Sequence, residues 1–183
     1  MNILVIYGSL REKSINKALA RNAQSFAPEG VMLDLVGVGD IPLFNEDLEL
    51  TAFPDTVETL KNKIKAADGI LIVTPEYNRS MSGSLKNAID WTSRPDKDSA
   101  WTAGKPVGVI GASNGMRGAS FAQYDVKRIM MYFNMALLGQ PEFYLALSDK
   151  NMDAEGNITD EKTKETLKKY LVAFTSHVQR NAR

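Results

Sequence analysis

Three short apolar runs constrain this chain more than any other feature. Ile3–Tyr7, Gly69–Thr74 and Pro106–Ile110 are continuous rather than alternating, which is the pattern of strands buried on both faces. A polar loop and then a helical period follow each run. Ile15, Ala18, Leu19 and Ala23 share one helix face, and Pro28-Glu29-Gly30 ends that element. Leu85, Ala88, Ile89 and Thr92 form the stripe of a second helix. A third runs over 119–133, with Ala122, Val126, Ile129, Met130 and Phe133 on one side.

The intervening segments complete the alternation. Val31–Val36 reads as a strand in which Val31, Leu33 and Leu35 alternate against Asp34. Val57, Leu60, Ile64 and Ala67 mark a helix with Asp55 as its expected N-cap. Residues 136–147 contain a last strand, broken by Gly139-Gln140-Pro141. A final helix starts at Thr159, with Asp160 and Glu161 in its first turn and Leu167, Leu171, Phe174 and Val178 as its core stripe. Five strands alternating with helices predict an α/β, three-layer, flavodoxin-like fold: a five-stranded parallel sheet of order 2-1-3-4-5 with helices on both faces. The length of 183 residues suits one domain over 1–183. In this topology ligands bind beyond the carboxyl ends of the strands. The loops Gly8–Asn16, Pro75–Gly83 and Gly111–Gly118 should then face one crevice. Gly37–Pro54 is long and irregular, so it is either functional or packed locally. Asp96–Gly104 and Ser148–Thr159 read as polar loops.

Composition removes several functions. Lys+Arg and Asp+Glu each number 22, so net charge is zero and nothing favours binding to nucleic acid or an anionic membrane. The chain has no cysteine, which excludes disulfides, thiolate catalysis and Cys-ligated metals. Its one histidine, His177, is expected on the surface of the last helix, and no metal site is predicted. No stretch approaches the roughly 20 apolar residues of a membrane span, and Met1–Leu4 opens no signal peptide. The expected location is cytoplasmic.

The first loop has the chemistry of an anion site. It leads from a strand to a helix N-terminus, where backbone N–H groups and the helix dipole favour a phosphate. Ser9 and Ser14 add hydroxyls, Asn16 an amide and Arg11 a fixed positive charge. It is neither G-x-x-x-x-G-K-[ST] nor G-x-G-x-x-G. The plain alternative is a βα turn with Ser14 as N-cap. In the second loop Glu76 is a general base or, more simply, a capping carboxylate. Tyr77 can stack on a planar ligand and Asn78 can meet a heterocycle edge, or both belong to a surface turn begun by Pro75. Arg117, Lys127 and Arg128 either attract a phosphorylated second substrate or simply solvate a helix face. Met130, Met131 and Met135 read as core or interface filler. Trp91 and Trp101 lie beside the crevice loops as subunit contacts or a lid.

Two of these stretches carry a family resemblance. Gly8-Ser9-Leu10-Arg11-Glu12-Lys13-Ser14-Ile15-Asn16 resembles the G-S-x-R-x-x-S-x-N loop of NADPH-dependent FMN reductases. Pro75-Glu76-Tyr77-Asn78-Arg79-Ser80, Gly83, Leu85–Trp91 and Ser93-Arg94 resemble that family's P-E-Y-N-x-S-x-P-G-x-L-K-N-x-x-D-W-x-S-R signature. One departure is Ser82, where the family usually has proline; a looser loop is expected from it. The resemblance implies bound FMN and NADPH or NADH as donor. It implies quinones, azo compounds, chromate or free flavin as acceptors, a ping-pong order and a homodimer or homotetramer. It places Ser9, Arg11, Ser14 and Asn16 at the FMN phosphate, with Pro75, Glu76, Tyr77 and Asn78 along the isoalloxazine. Ser113 and Gly115 approach the ring from the other side. No catalytic side chain is implied, because the cofactor carries the redox chemistry. A flavodoxin-type electron carrier, which is usually strongly acidic, and a flavin-free phosphate-ligand-binding domain of the same fold are the alternatives.

Overall fold

The computed structural model describes residues 1–95, 98–148 and 150–181; residues 96, 97 and 149, within the two polar loops read at 96–104 and 148–159, lie outside the described set. The elements run β1 (Asn2–Tyr7), α1 (Ile15–Ser25), β2 (Met32–Gly37), α2 (Glu46–Thr51), α3 (Asp55–Ala66), β3 (Gly69–Thr74), α4 (Gly83–Thr92), β4 (Pro106–Ser113), α5 (Ser120–Tyr132), β5 (Ala136–Leu137), β6 (Tyr144–Ala146) and α6 (Glu161–Asn181). The sheet order is β2-β1-β3-β4-β5, every pairing is parallel, and β6 also pairs with β4. This is the expected 2-1-3-4-5 order, with the last strand broken in two by the Gly139–Pro141 segment.

Strand periodicity divides the core. Ile3 and Val5 of β1, Leu71 and Val73 of β3, and Ile110 and Ala112 of β4 pack on α1 and α6. Their neighbours Leu4, Ile6, Ile70, Ile72, Val107 and Val109 pack on α3, α4 and α5. Successive side chains of a strand point to opposite faces, so a sheet covered on both sides needs a continuous apolar run. Gly108 of β4 lies under α6, where an added Cβ would stand 2.7 Å from the Tyr170 hydroxyl and 3.0 Å from Phe174. The buried Tyr170 hydroxyl donates to the Val109 carbonyl at 3.2 Å. That bond reaches β4 between its short pairings with β5 and β6.

Several local readings change. Pro54, not Asp55, is the N-cap of α3, with Asp55 in the first turn. Asp160 accepts from the Thr163 N–H at 2.7 Å, so α6 starts just after it, at Glu161. The irregular stretch 37–54 contains α2, capped by Asn45. Asn87 and Trp91 of α4 hold this stretch: Asn87 accepts from the Phe44 N–H at 2.7 Å and donates to the Pro42 carbonyl, while Trp91 Nε1 donates to Pro42 at 2.8 Å. Phe44 and Phe53 meet the Trp91 ring edge-on at 5.0 and 5.5 Å. Trp91 and Trp101 are both buried, which removes the lid reading for either. His177 is half-buried, with Nε2 2.8 Å from the Ala136 carbonyl, so it is no free surface group.

Two lysines close the helix ends on this side of the sheet. Lys105, at the start of β4, donates to the carbonyls of Ile64, Lys65 and Ala67 at the end of α3, and burial lowers its pKa. Lys61 is buried, donates to the Arg94 carbonyl and pairs with Asp98 at 2.8 Å. The hydrogen bonds from Lys61 and then Lys65 hold the Asp98 carboxyl down at about 2, below its ordinary 3.8. A lowered folded-state pKa stabilises above the unfolded value and loses its effect as pH falls through the folded one. Asp98→Asn should therefore lower Tm near neutral pH, and its gap to wild type should close as pH drops from 3.8 towards about 2 in paired melting curves. Gly108→Ala should cost about 1–3 kcal/mol by overpacking, read as a lower midpoint in urea denaturation.

Candidate functional site

The carboxyl ends of β1, β3 and β4 lie side by side, and the loops that follow surround a cavity of about 270 Å³. Ser9, Arg11, Ser14 and Asn16 line it from the first loop, Pro75, Glu76 and Tyr77 from the second, and Ser113 and Gly115 from the third. Asn78 does not line it and stands exposed at the tip of the second loop. Ile15, Ala112 and Asn114 complete the wall, none of them read from the sequence as a ligand residue. Ala112 and Ser113 belong to the end of β4, which runs three residues beyond the expected Ile110.

The first loop turns on a close approach. The Gly8 N–H donates to Val73 at 3.0 Å, extending the β1–β3 ladder. A Cβ on Gly8 would lie 2.8 Å from both the Leu85 Cβ and the Ser82 Oγ, so only glycine fits. The Gly8 carbonyl instead accepts from the Ser82 and Ser84 hydroxyls, each at 2.7 Å. Ser82 also caps α4, accepting from the Leu85 N–H at 3.3 Å. The looser loop expected from Ser82 is thus corrected: a proline there could not donate, whereas the serine ties two crevice loops together.

Past that tie, Ser14 caps α1 by accepting from the Lys17 N–H at 3.1 Å. The Ala18 N–H bonds the Ser14 carbonyl. Among the described residues the Ile15 and Asn16 N–H groups have no protein acceptor, as expected at a helix start. The Ser9 hydroxyl, largely buried, likewise has no protein partner among those residues. The Asn16 side chain is different. Its Nδ2 donates to the Ala112 carbonyl and its Oδ1 accepts from the Ala112 N–H, both at 2.9 Å. The amide expected at an anion is committed to β4, and the backbone N–H is what Asn16 offers to the cavity.

The second and third loops are equally specified. Glu76 accepts from the Phe121 and Ala122 N–H groups at 3.0 and 3.2 Å, the capping role anticipated for it. Tyr77 and Ser80 exchange backbone bonds of 2.9 and 3.0 Å around Asn78 (φ 52°) and Arg79 (φ 67°). Two left-handed central residues make this a type I′ turn. The Ser80 hydroxyl anchors the turn to Asp125 at 2.5 Å. In the third loop Ser113 Oγ accepts from the Ala119 N–H at 3.2 Å. Gly118, at φ 55°, passes so close to β6 that a Cβ would meet the Leu145 nitrogen at 2.7 Å.

This constellation agrees with what the chain matches among known proteins. Residues 1–150 match the family model described as NADPH-dependent FMN reductase. A 2-hydroxy-1,4-benzoquinone reductase of Burkholderia sp. is 42% identical, over 98% of this chain and 97% of that protein. A quinone reductase of Escherichia coli strain K12 is 38% identical, over 98% and 96%. The solved structure of FerB, a flavoenzyme NAD(P)H:(acceptor) oxidoreductase from Paracoccus denitrificans, superposes with a TM-score of 0.91 at 37% identity, covering 100% of this chain and 99% of that one. With its signature loops gathered on one cavity and this similarity over nearly its whole length, the chain belongs to the NADPH-dependent FMN reductase family.

Proposed function

We propose that this chain is an FMN-dependent NAD(P)H oxidoreductase that passes electrons from NADPH or NADH to a small acceptor such as a quinone, azo compound, chromate or free flavin. The observation that carries this function is the convergence of three strand-end loops on one cavity whose helix-start N–H groups, buried Ser9 hydroxyl and Arg11 have no competing protein ligands among the described residues. That donor set fits a phosphate monoester: charge from Arg11, hydroxyls from Ser9 and Ser14, N–H groups from Ile15 and Asn16. Bound FMN would supply the two-electron hydride chemistry. The chain's own groups bind and orient. Pro75, Glu76 and Tyr77 would run along one edge of the ring system through backbone groups, with Ser113 and Gly115 on the opposite side, while Asn78, exposed at the loop tip, would stay outside that contact. Glu76 keeps its carboxylate at the start of α5, so it orients the loop instead of moving a proton. Donor and acceptor would enter the same cleft in turn, the ping-pong order. The quinone reductase names of two relatives support a quinone as acceptor.

The proposal extends to a homodimer or homotetramer acting in the cytoplasm, folded as one domain over 1–183. Among the described residues no helix is long and apolar enough to cross a membrane. The half-open cleft of about 940 Å³ between α4 and α5, with Tyr132 exposed at its rim, supports a second copy as its cover.

The purified protein should be yellow and oxidise NADPH or NADH with a quinone present. Arg11→Ala should weaken FMN binding roughly tenfold in a flavin-fluorescence titration, the loss expected for one charge-assisted contact. Unchanged FMN affinity in Arg11→Ala would remove the phosphate assignment, and a colourless protein unable to take up FMN would remove the function. Asn16→Ala should lower Tm as well as FMN affinity, because its side chain braces β4; Arg11→Ala should leave Tm in place.

A further inference from the structure

A second cavity adjoins the first. It holds about 470 Å³, and Ser14 and Ile15 line both. Lys13, Lys17 and Arg21 line it from the α1 side, and residues 152–156, in the loop after β6, from the other. We propose that this groove is an adenylate pocket, so that the chain takes flavin adenine dinucleotide (FAD) as well as FMN, with the second phosphate, ribose and adenine between α1 and residues 152–156. This rests on the flavin-binding function proposed above.

The two cavities meet at the start of α1, where the FMN phosphate is proposed to sit. A group attached to that phosphate therefore has the second cavity as its neighbour. The volume falls within the roughly 300–1,000 Å³ usual for a small-molecule site. Lys17 follows Lys13 by four residues and Arg21 follows Lys17 by four, which puts like charges next to one another on a helix face. Lys17 also stands in the first turn of α1, which has no acidic residue, so its charge opposes the helix dipole. None of the three side chains has an ion-pair or hydrogen-bond partner among the described residues. Such a row is unfavourable until an anion arrives. FMN brings one phosphate, already met by Arg11 and the helix-start N–H groups; a second phosphate would use the row.

The groove also carries groups for the rest of a nucleotide. Glu12 and Glu155 line it, and their carboxylates have no partner among the described residues. Carboxylates accept from ribose hydroxyls, so cations on one side and acids in the same groove suit a nucleotide better than a bare phosphate. Leu147 and Met152 add apolar surface for the adenine ring, and a methionine sulfur packs well on aromatic rings.

Polar ties hold the groove in shape. Asn22 of α1, which is buried, donates to the Gly156 carbonyl at 2.7 Å and accepts from the Ile158 N–H at 3.0 Å. Gly156, at φ 88°, approaches α1 so closely that a Cβ would stand 2.7 Å from the Ala18 Cβ. Met152 and Ile158 pair as an antiparallel bridge, and Asp153 closes the turn between them by accepting from the Asn157 N–H and Nδ2 at 2.7 and 2.9 Å. The loop is thereby fixed against α1 before any ligand enters.

The experiment titrates the flavin-free chain with FMN and with FAD by calorimetry. FAD should bind at least as tightly as FMN. Lys17→Gln and Arg21→Gln should each weaken FAD about tenfold, and Glu155→Gln about threefold, while FMN affinity stays within about twofold and reports an intact fold. FMN bound and FAD held more weakly, or refused, would overturn the adenylate pocket and leave the FMN function standing. Equal losses of both flavins in the Lys17 and Arg21 variants would also overturn it, by reducing these cations to a general field around the first phosphate. FAD affinity unchanged in all three variants would overturn it by leaving the dinucleotide without contacts in the groove. A chain that binds neither flavin would remove this proposal and the function beneath it together.

Discussion

The cleft depends on one buried amide. Asn16 bonds both backbone groups of Ala112, joining the start of α1 to the end of β4 across β1 and β3. Backbone groups at strand ends lose their ladder partners, and leaving them unpaired in a buried place is costly. The same amide meets that need and sets the distance between the first and third loops. Gly8 does the corresponding work between the first and second: its missing Cβ lets Ser82 and Leu85 approach, and its carbonyl receives the hydroxyls of α4. The walls of the cavity are thus held by polar ties inside the protein, while the helix-start N–H groups face inwards.

The second signature divides into two jobs once these ties are seen. The Pro75–Ser80 part builds a turn at the cavity rim. The Asn87 and Trp91 part points the other way and fastens residues 37–54 to α4. A motif read as one binding element is therefore half ligand cradle and half internal brace. Ser82 sits at the join and serves both, as cap for α4 and donor to the first loop.

Much of the fold was legible because it depends on local pattern. Continuous apolar runs marked β1, β3 and β4, and helical stripes such as Leu167, Leu171, Phe174 and Val178 marked the covering layers. The strand-end loops followed from topology. What escaped was set by contacts remote in sequence. Nothing near Asn16 indicates a partner at Ala112, so its side chain looked available to a ligand. Trp91 and Trp101 read as subunit contacts or a lid because aromatic character alone does not distinguish exposed from buried, and the burial comes from Phe44, Phe53 and Phe133. Helix α2 was missed because six residues with no buried side chain leave no apolar stripe.

The divided last strand has a consequence for how copies of this molecule can meet. β5 contributes two residues and β6 three, and between them the outer side of β4 is reached by the Tyr170 hydroxyl on the Val109 carbonyl instead of by a strand. An uninterrupted row of free N–H and C=O groups is what lets one sheet recruit the edge of another. Here that row is broken and part of it is occupied by a side chain. Growth of the sheet from one molecule to the next is hindered at this margin, and the opposite edge, β2, is the one that keeps a six-residue strand paired on one side only.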